Sequence, residues 1–552
     1  MLLSEKSAVA GEVRRNRCLA AALAVGLSAI AYAALFPPFG FTCLSWVVLC
    51  PVLWIAPRLS LRSLALWGSL YGALSAALTC NWVLPTVHGY FEKPFGVSLF
   101  FAAACYVLGA APFFGLFWIW LGVAFRKLPR GLWLCLIPAA WVAQEILRVS
   151  MGIRAGWALL GAAHFESERL RQLASVTGVY GVSAVLVAGN VAVYQVCRYL
   201  WDKRKCKTER IASLWFPVFF FATVLCVALV YGELRLRNFH RLSSEHSSGA
   251  EISVLAVQGN NPSSLSWKSE YADKILMRYV RLTVQSLEAA GPADLVIWPE
   301  QVLQRPLPDL GDEALLHSLV DETNAVLLMG APRWEVHENR QRIFNSAHLF
   351  QPHVAERLAY DKIILLPFSE AHPIGDRVAR LKGDLEIGSY SAGLQPNVLV
   401  AGPIRAGVMI CIESIYPSLA RALARNGAGL LAILSNDSWL RGTGGPEQHF
   451  SQGIFRAIET GLPMLRVTTT GISAVVDASG EVQQQLPWGT SGVLRARLPA
   501  GLRAETPYVR FGDIFAVACS ALTLLSLLVP NRWWRRAGTS SGEGSGKIAA
   551  TS

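Results

Sequence analysis

Apolar residues fall in two regimes along this chain. Over roughly the first 235 positions, and again near the C-terminus, they form long unbroken runs. A helix needs about 20 apolar residues to cross the hydrocarbon core of a bilayer. About eight runs approach that length: Cys18–Phe36, Phe41–Ala56, Leu64–Leu84, Val97–Phe125, Gly131–Leu147, Val176–Leu200, Leu214–Tyr231 and Ile514–Val529. The second is short enough to be partly re-entrant. No small-residue cleavage site follows the first, so a retained helix is expected rather than a signal peptide.

Between the seventh and eighth runs the period shortens. Ile252–Gln258, Ala293–Trp298, Ala325–Gly330, Arg405–Cys411 and Leu430–Leu434 read as buried strands. Asn345–Phe350 and Asn397–Val400 read as short strands, and Pro463–Thr468 with Ser473–Val476 as a strand pair. Ala272–Ala289, Tyr416–Asn426 and Glu447–Glu459 have helical spacing. Continuously apolar strands imply sheets covered on both faces, and alternation with helices implies an α/β layered domain. The expected organisation is a membrane domain of about seven helices over 1–233, an α/β domain over 234–510, a C-terminal transmembrane helix over 511–531 and a disordered tail over 532–552. The tail is rich in Gly and Ser.

Composition agrees with a membrane protein. Only 16% of residues are charged, against about 25% in ordinary soluble domains. The net charge of +12 does not point to nucleic acid, because the bases lie in short segments between apolar runs and no nucleic-acid-binding signature is present. Bases cluster before the first run (Arg14, Arg15, Arg17) and after the second (Arg58, Arg62), fourth (Arg126, Lys127, Arg130), sixth (Arg198, Lys203, Arg204, Lys205, Lys207) and eighth (Arg532, Arg535, Arg536). By the positive-inside rule these segments and both termini face the cytoplasm. The α/β domain then lies on the opposite, periplasmic side. The loop Arg148–Ser175 breaks the pattern with several arginines.

Cys411 is the only cysteine between about Gly232 and Arg510. It has no partner for a disulfide within the domain and no cysteines with which to share a zinc ion. It ends the apolar run Ala406–Cys411, and Glu413 follows closely. A thiol displayed at a strand end suits a nucleophile, although free cysteine is also among the most buried residue types. Glu300 ends the strand Asp294–Glu300 in the same manner. It reads as a functional carboxylate or as a helix cap. Lys362 precedes the apolar stretch Ile363–Leu366 and has Glu370 eight residues on. It reads as a functional cation or as a surface lysine at a strand's start. No histidine in the domain carries a local signature of a catalytic base.

One reactive group at each of three strand ends, in the order Glu, Lys, Cys, resembles the nitrilase superfamily. With the apolar runs, the chain resembles that superfamily's membrane-embedded members, the apolipoprotein N-acyltransferases. The resemblance covers nearly the whole chain. It rests on Val257-Gln258-Gly259-Asn260, Trp267, Val296-Ile297-Trp298-Pro299-Glu300, Tyr360-Asp361-Lys362, Pro367-Phe368, Glu370, Ile410-Cys411-Ile412-Glu413, Asn436-Asp437-Ser438-Trp439, His449, Arg456-Ala457-Ile458-Glu459 and Thr470-Gly471-Ile472-Ser473. In the membrane portion, the segments Trp141–Arg148 and Gly178–Gly181 add to it. Glu145 and Arg148 there are expected to pair at the interface.

The resemblance implies an α-β-β-α sandwich in a multi-pass protein of the bacterial inner membrane. It implies Cys411 as nucleophile, Glu300 as general base and Lys362 as the cation facing the tetrahedral oxyanion. The backbone N–H of Ile412 would be a second donor, Glu370 and Glu413 supporting carboxylates, and Trp267 part of the substrate pocket. The substrates implied are a phospholipid acyl donor and the α-amino group of a diacylglyceryl-cysteine at an apolipoprotein's N-terminus, with no metal or organic cofactor. Lys362 would lower the thiol pKa, and a dry pocket would raise that of Glu300. Ile363–Leu366 and Phe368 would form either a lid at the membrane surface or plain core. The chain departs from the family pattern at Ile412 (commonly Tyr), at Ile363-Ile364 (commonly a basic or His residue), at Ser369 (commonly Gly) and near Thr469, where a usual Asn is absent. Two other readings fit the same residues: a membrane-tethered amidase or nitrilase-type hydrolase, and a transporter or receptor with an inert nitrilase-like domain. The scarcity of intramembrane charge weighs against a transporter.

Overall fold

The computed structural model describes residues 2–205, 212–245, 251–261, 271–303, 305–337, 340–366, 369–370, 390–499 and 505–528. Five helices among them are long and apolar enough to cross a membrane: Glu12–Ala34, Phe95–Lys127, Arg130–Ser150, Val179–Arg204 and Leu214–Ser244. Leu61–Thr79 and Val83–Tyr90, bent by 62°, make a sixth if they form one span.

The expectation of about eight spans is therefore corrected to five or six among the described residues, and local chemistry explains the difference. The run at Phe41–Ala56 breaks into a 3-10 turn, Thr42–Trp46, a six-residue helix, Cys50–Ile55, and a second turn, Ala56–Arg58. Pro51 and Pro57 each start one of these pieces, where a missing N–H costs nothing but an upstream helix cannot continue. The described part of the last run, Ile514–Leu528, has 15 residues. That is about 22 Å of helix against a hydrocarbon core of about 30 Å.

Among the described residues twelve strands form the α/β region: β1 (Glu251–Gln258), β2 (Leu295–Ile297), β3 (Val326–His337), β4 (Arg340–Phe350), β5 (Leu358–Asp361), β6 (Val398–Ala401), β7 (Ile404–Ile410), β8 (Leu430–Ser435), β9 (Met464–Thr468), β10 (Ser473–Val476), β11 (Val482–Leu486) and β12 (Gly492–Pro499). They make two six-stranded sheets of order β12-β1-β2-β3-β4-β5 and β11-β10-β9-β8-β7-β6. Each sheet has a parallel centre, β1-β2-β3 or β7-β8-β9, and antiparallel flanks. Alternation of side chains across the pleat sorts them into layers. Val254, Ala256, Ile297 and Leu328 meet Val408, Ile410, Ala432 and Leu434 in one core between the sheets. Leu255, Val257, Val296 and Leu327 point the other way, onto the helices Ala272–Ala290 and Leu310–Thr323.

The outer face of the second sheet carries Met409, Leu431 and Ile433. These pack with Leu419 and Leu423 of the helix Pro417–Arg425 and with Ile454 and Ile458 of the helix Gly445–Thr460. That core runs without a break into the membrane helices, through Leu35, Phe36, Trp141, Trp157 and Leu160. Polar contacts fix the junction. Gln448 donates to the carbonyls of Pro37 at 2.7 Å and Thr79 at 3.0 Å, and accepts from the Trp157 indole at 2.8 Å. Gly444 sits against Pro37 and Pro38 so closely that a Cβ there would lie 2.5 Å from the Pro38 ring. Glu145 and Arg148 do not pair with each other. Glu145 accepts from Trp141 at 3.0 Å and the Leu160 N–H at 2.8 Å, while Arg148 reaches the Ala158 carbonyl at 3.5 Å. Both therefore brace the loop that carries Trp157.

Candidate active site

The parallel strands β2 and β7 and the edge strand β5 end on one rim, where open α/β sheets usually place their ligands. Glu300 follows β2 by three residues, Lys362 follows β5 directly and Cys411 follows β7 directly. Of the two sequence readings of Lys362, a functional cation at a strand end or a surface lysine at a strand's start, the fold gives the strand end, since β5 (Leu358–Asp361) precedes it. Its main chain is pinned on both sides, by its own N–H on Asn345 O at 2.9 Å and by Gly393 N–H on its carbonyl at 2.8 Å.

Lys362, Glu300 and Glu370 form one buried cluster. The ammonium lies 2.9 Å from Glu370 Oε1, 2.8 Å from Glu370 Oε2 and 3.4 Å from Glu300 Oε1. Asn345, on β4, donates through one Nδ2 to Glu300 Oε1 at 2.8 Å and to Glu370 Oε1 at 2.7 Å. The Asn436 N–H holds Glu300 Oε2 at 2.8 Å. Gly330 on β3 leaves room for this: a Cβ there would lie 2.6 Å from Glu300 Cα. Burial pulls the Lys362 ammonium down, but Glu370 and Glu300 outweigh it and hold its pKa above the usual lysine range. Burial raises Glu300 above the usual carboxylate range, against the pull of Lys362.

Cys411 is 4% exposed and opens a 3-10 turn, Cys411–Ile415, with φ at +52°. The Ile412 N–H lies in the first turn, where a helix offers no internal acceptor. Burial pushes the thiol well above its ordinary pKa, Glu300 adds to this, and Lys362 opposes it. Lysine thus acts in the direction expected from the sequence, but the thiol at rest is neutral. It needs a base at the moment of attack.

Glu413 braces two segments of the site. Its Oε1 accepts from the N–H groups of Ile363 at 2.7 Å and Ile364 at 3.0 Å, its Oε2 from the Ile410 N–H at 2.7 Å, and both from the Tyr360 hydroxyl at 3.0 Å. It ties the chain after Lys362 to the chain before Cys411. Burial pushes its pKa up to about 7 against those backbone donors. Glu413→Gln would set an amide N–H₂ against one set of donors. The expected cost is about 1–3 kcal/mol, read as a lower thermal midpoint in detergent, together with slower turnover as Lys362 and Cys411 lose their mutual alignment.

Ile363, Ile364 and Leu366 are half-buried against the core shared with the membrane helices. Trp267 and Phe368 lie outside the described residues. Asn345, Asn436 and Tyr360 were not singled out as site residues. Asn345 carries a sequence signal, a carboxamide at the mouth of an apolar strand, but its partners come from three other segments. Trp82 meets Trp439 of the α/β domain with ring centroids 5.2 Å apart and Trp157 at 4.8 Å, so the membrane segments pack against the turn that carries Asn436. Among the described residues no group of His, Cys, Asp and Glu is arranged to hold a metal ion.

Comparison with known proteins covers both halves. Residues 254–508 match the carbon-nitrogen hydrolase family and residues 28–192 the apolipoprotein N-acyltransferase N-terminal domain. A solved structure of Saccharomyces cerevisiae Nit3, a member of branch 10 of the nitrilase superfamily, aligns at 18% identity and TM-score 0.36 over 53% of this chain and 96% of that one. An apolipoprotein N-acyltransferase of Caulobacter vibrioides is 34% identical over 452 residues, 77% of this chain and 78% of that protein. One from Geobacter metallireducens is 30% identical over 499 residues, 90% of this chain and 92% of that protein. A likeness that runs through membrane helices and α/β sheets alike makes this chain a member of the apolipoprotein N-acyltransferase family, an acyltransferase with a nitrilase-superfamily catalytic domain.

Proposed function

We propose that the enzyme moves an acyl chain from a membrane phospholipid to the α-amino group of the N-terminal diacylglyceryl-cysteine of apolipoproteins, through a thioester on Cys411. The observation that carries this reading is the convergence of Glu300, Lys362 and Cys411 at three strand ends, with Trp157 of the membrane segments stacked on His449 against the Cys411 turn.

Glu300 takes the thiol proton as sulfur attacks the ester carbonyl, and the Lys362 ammonium and the Ile412 N–H face the tetrahedral oxyanion. Collapse breaks the C–O bond, and the departing lysophospholipid alkoxide takes the proton from Glu300. The substrate amine then attacks the thioester, Glu300 accepts the amine proton, and the thiolate leaves and is reprotonated. Glu370 keeps Lys362 in place. A thioester is activated enough to acylate an amine, which an ester is not at useful rates. That chemistry gives the covalent stage its purpose.

The α/β domain, proposed as 234–510, contacts Pro37, Thr79, Thr86 and Trp157. These lie at the base-poor ends of the apolar runs or in the Arg148–Ser175 loop, and not at the basic ends around Arg58, Arg126 or Lys203. This docking supports a periplasmic catalytic domain and cytoplasmic termini in the inner membrane. Both substrates would then lie in the leaflet beside the pocket. Incubation of the purified enzyme with phospholipid labelled in its acyl chains should give a hydroxylamine-labile label on protein, discharged by a diacylated lipopeptide amine. Label released to water instead of the lipopeptide would point to the hydrolase reading.

A further inference from the structure

Behind Cys411 lies a buried charge network that the steps above do not use. His449, on the helix Gly445–Thr460, is 0% exposed. Its Nδ1 lies 3.0 Å from Asp437 Oδ1 and 2.9 Å from Arg466 Nη2, and Arg466 Nη2 is 2.7 Å from Asp437 Oδ2. On the other side of the ring, Nε2 lies 3.1 Å from the Cys411 carbonyl oxygen and 2.9 Å from Ser414 Oγ. The Ser414 hydroxyl also donates to that carbonyl, at 2.9 Å. Trp157 stacks on the imidazole with centroids 5.4 Å apart. Burial and Arg466 hold the ring neutral. A carbonyl oxygen can only accept, so the contact to Cys411 takes a proton on Nε2, while Arg466 and Asp437 both face Nδ1.

Buried charges of this kind cost more desolvation than their pairing returns unless something else is gained. What is held here is an unfavourable backbone. Cys411 has φ at +52°, a region where a Cβ meets the following carbonyl. The Cys411 carbonyl and the Ile412 N–H belong to one planar trans peptide and point in opposite directions. Two donors that draw the carbonyl toward His449 therefore turn the Ile412 N–H away from it.

We infer that His449 is a positioning residue for acyl transfer: it fixes the Cys411–Ile412 peptide so that its N–H is presented to the oxyanion, with Asp437 and Arg466 fixing the ring. This rests on the reading of Cys411 as an acyl-accepting nucleophile. The residue acts through the backbone and touches no substrate atom.

The test compares two amides in the full-length enzyme, with single-turnover thioester formation from labelled phospholipid as the readout. His449→Gln reaches roughly where Nε2 stands and can still donate to the Cys411 carbonyl. His449→Asn stays near Nδ1 and cannot. Thioester formation in His449→Asn should slow on the order of 10²-fold, the usual loss for a misplaced oxyanion donor, with the phospholipid KM within about twofold of wild type. His449→Gln should recover most of the rate. Ser414→Ala, which removes the second donor, should slow the same step by less. Equal rates for the Asn and Gln variants, or a loss confined to KM, would overturn the inference. If either His449 variant does not fold, Ser414→Ala decides, and an unchanged rate there rejects the idea. A wild-type enzyme that forms no thioester would instead sink the parent reading of Cys411.

Discussion

Cys411→Ala is expected to fold, insert in the membrane and transfer no acyl chain. The thiol is neutral in its pocket, so its removal strands no charge, and the loss is one buried sulfur's worth of packing. Glu300, Lys362, Glu370 and Asn345 keep every contact they make with one another. Chemistry should fall by at least about 10⁴-fold, as when a covalent nucleophile is removed from other acyl-transfer enzymes. Cys411→Ser should be nearly as slow, because a serine hydroxyl gives up its proton to a carboxylate far less readily than a thiol. Neither variant should hold a hydroxylamine-labile acyl label. Wild-type N-acylation of a lipopeptide by Cys411→Ala would end the thioester mechanism.

Glu300 and Cys411 stand out in the sequence because each closes an unbroken apolar run, Leu295–Trp298 before Pro299-Glu300 and Ala406–Ile410 before Cys411. Lys362 was harder. Its strand is only Leu358–Asp361, too short for a period to emerge, so the sequence alone leaves a strand end and a strand's start both open. β11 and β12 were missed for a different reason: their exposed, polar-rich faces, as in Val482–Leu486, do not stand out as apolar runs. The span count among the described residues is lower than hydropathy suggests because hydropathy sums apolar residues without weighing Pro51 and Pro57, and because only 15 residues of the last run, Ile514–Leu528, are described. Glu145 and Arg148 are spaced to pair on one helix face, but an irregular loop offers backbone groups that need them more. The His449 network could not be read at all. Asp437, His449 and Arg466 come from a turn, a helix and strand β9, and only the assembled fold puts them behind the nucleophile.

Lys362→Met should be the most damaging substitution in the site after loss of the thiol, and it should act on stability as well as rate. The lysine is 1% exposed and is the cation between two buried carboxylates that share one Asn345 amide. Without it, Glu300 and Glu370 cannot both stay ionised at such close quarters. Breaking one side of a buried ion cluster costs about 3–5 kcal/mol, which should appear as a lower thermal midpoint. Thioester formation should fall on the order of 10²–10³-fold from the lost oxyanion partner alone. The sign of the pH effect follows from the same charges. Burial already raises Glu300, and Lys362 is what restrains it. Its removal raises Glu300 further, so the base is protonated up to a higher pH and the acid limb of residual activity moves upward. Lys362→Arg should not rescue, because a planar fork cannot replace a compact ammonium in a fully enclosed site. Adding Glu370→Gln to Lys362→Met separates the two roles. It removes one of the competing carboxylates and should recover part of the thermal stability while the rate stays low. Recovery of both together would mean that Lys362 serves only to neutralise Glu370 and has no part in stabilising the oxyanion.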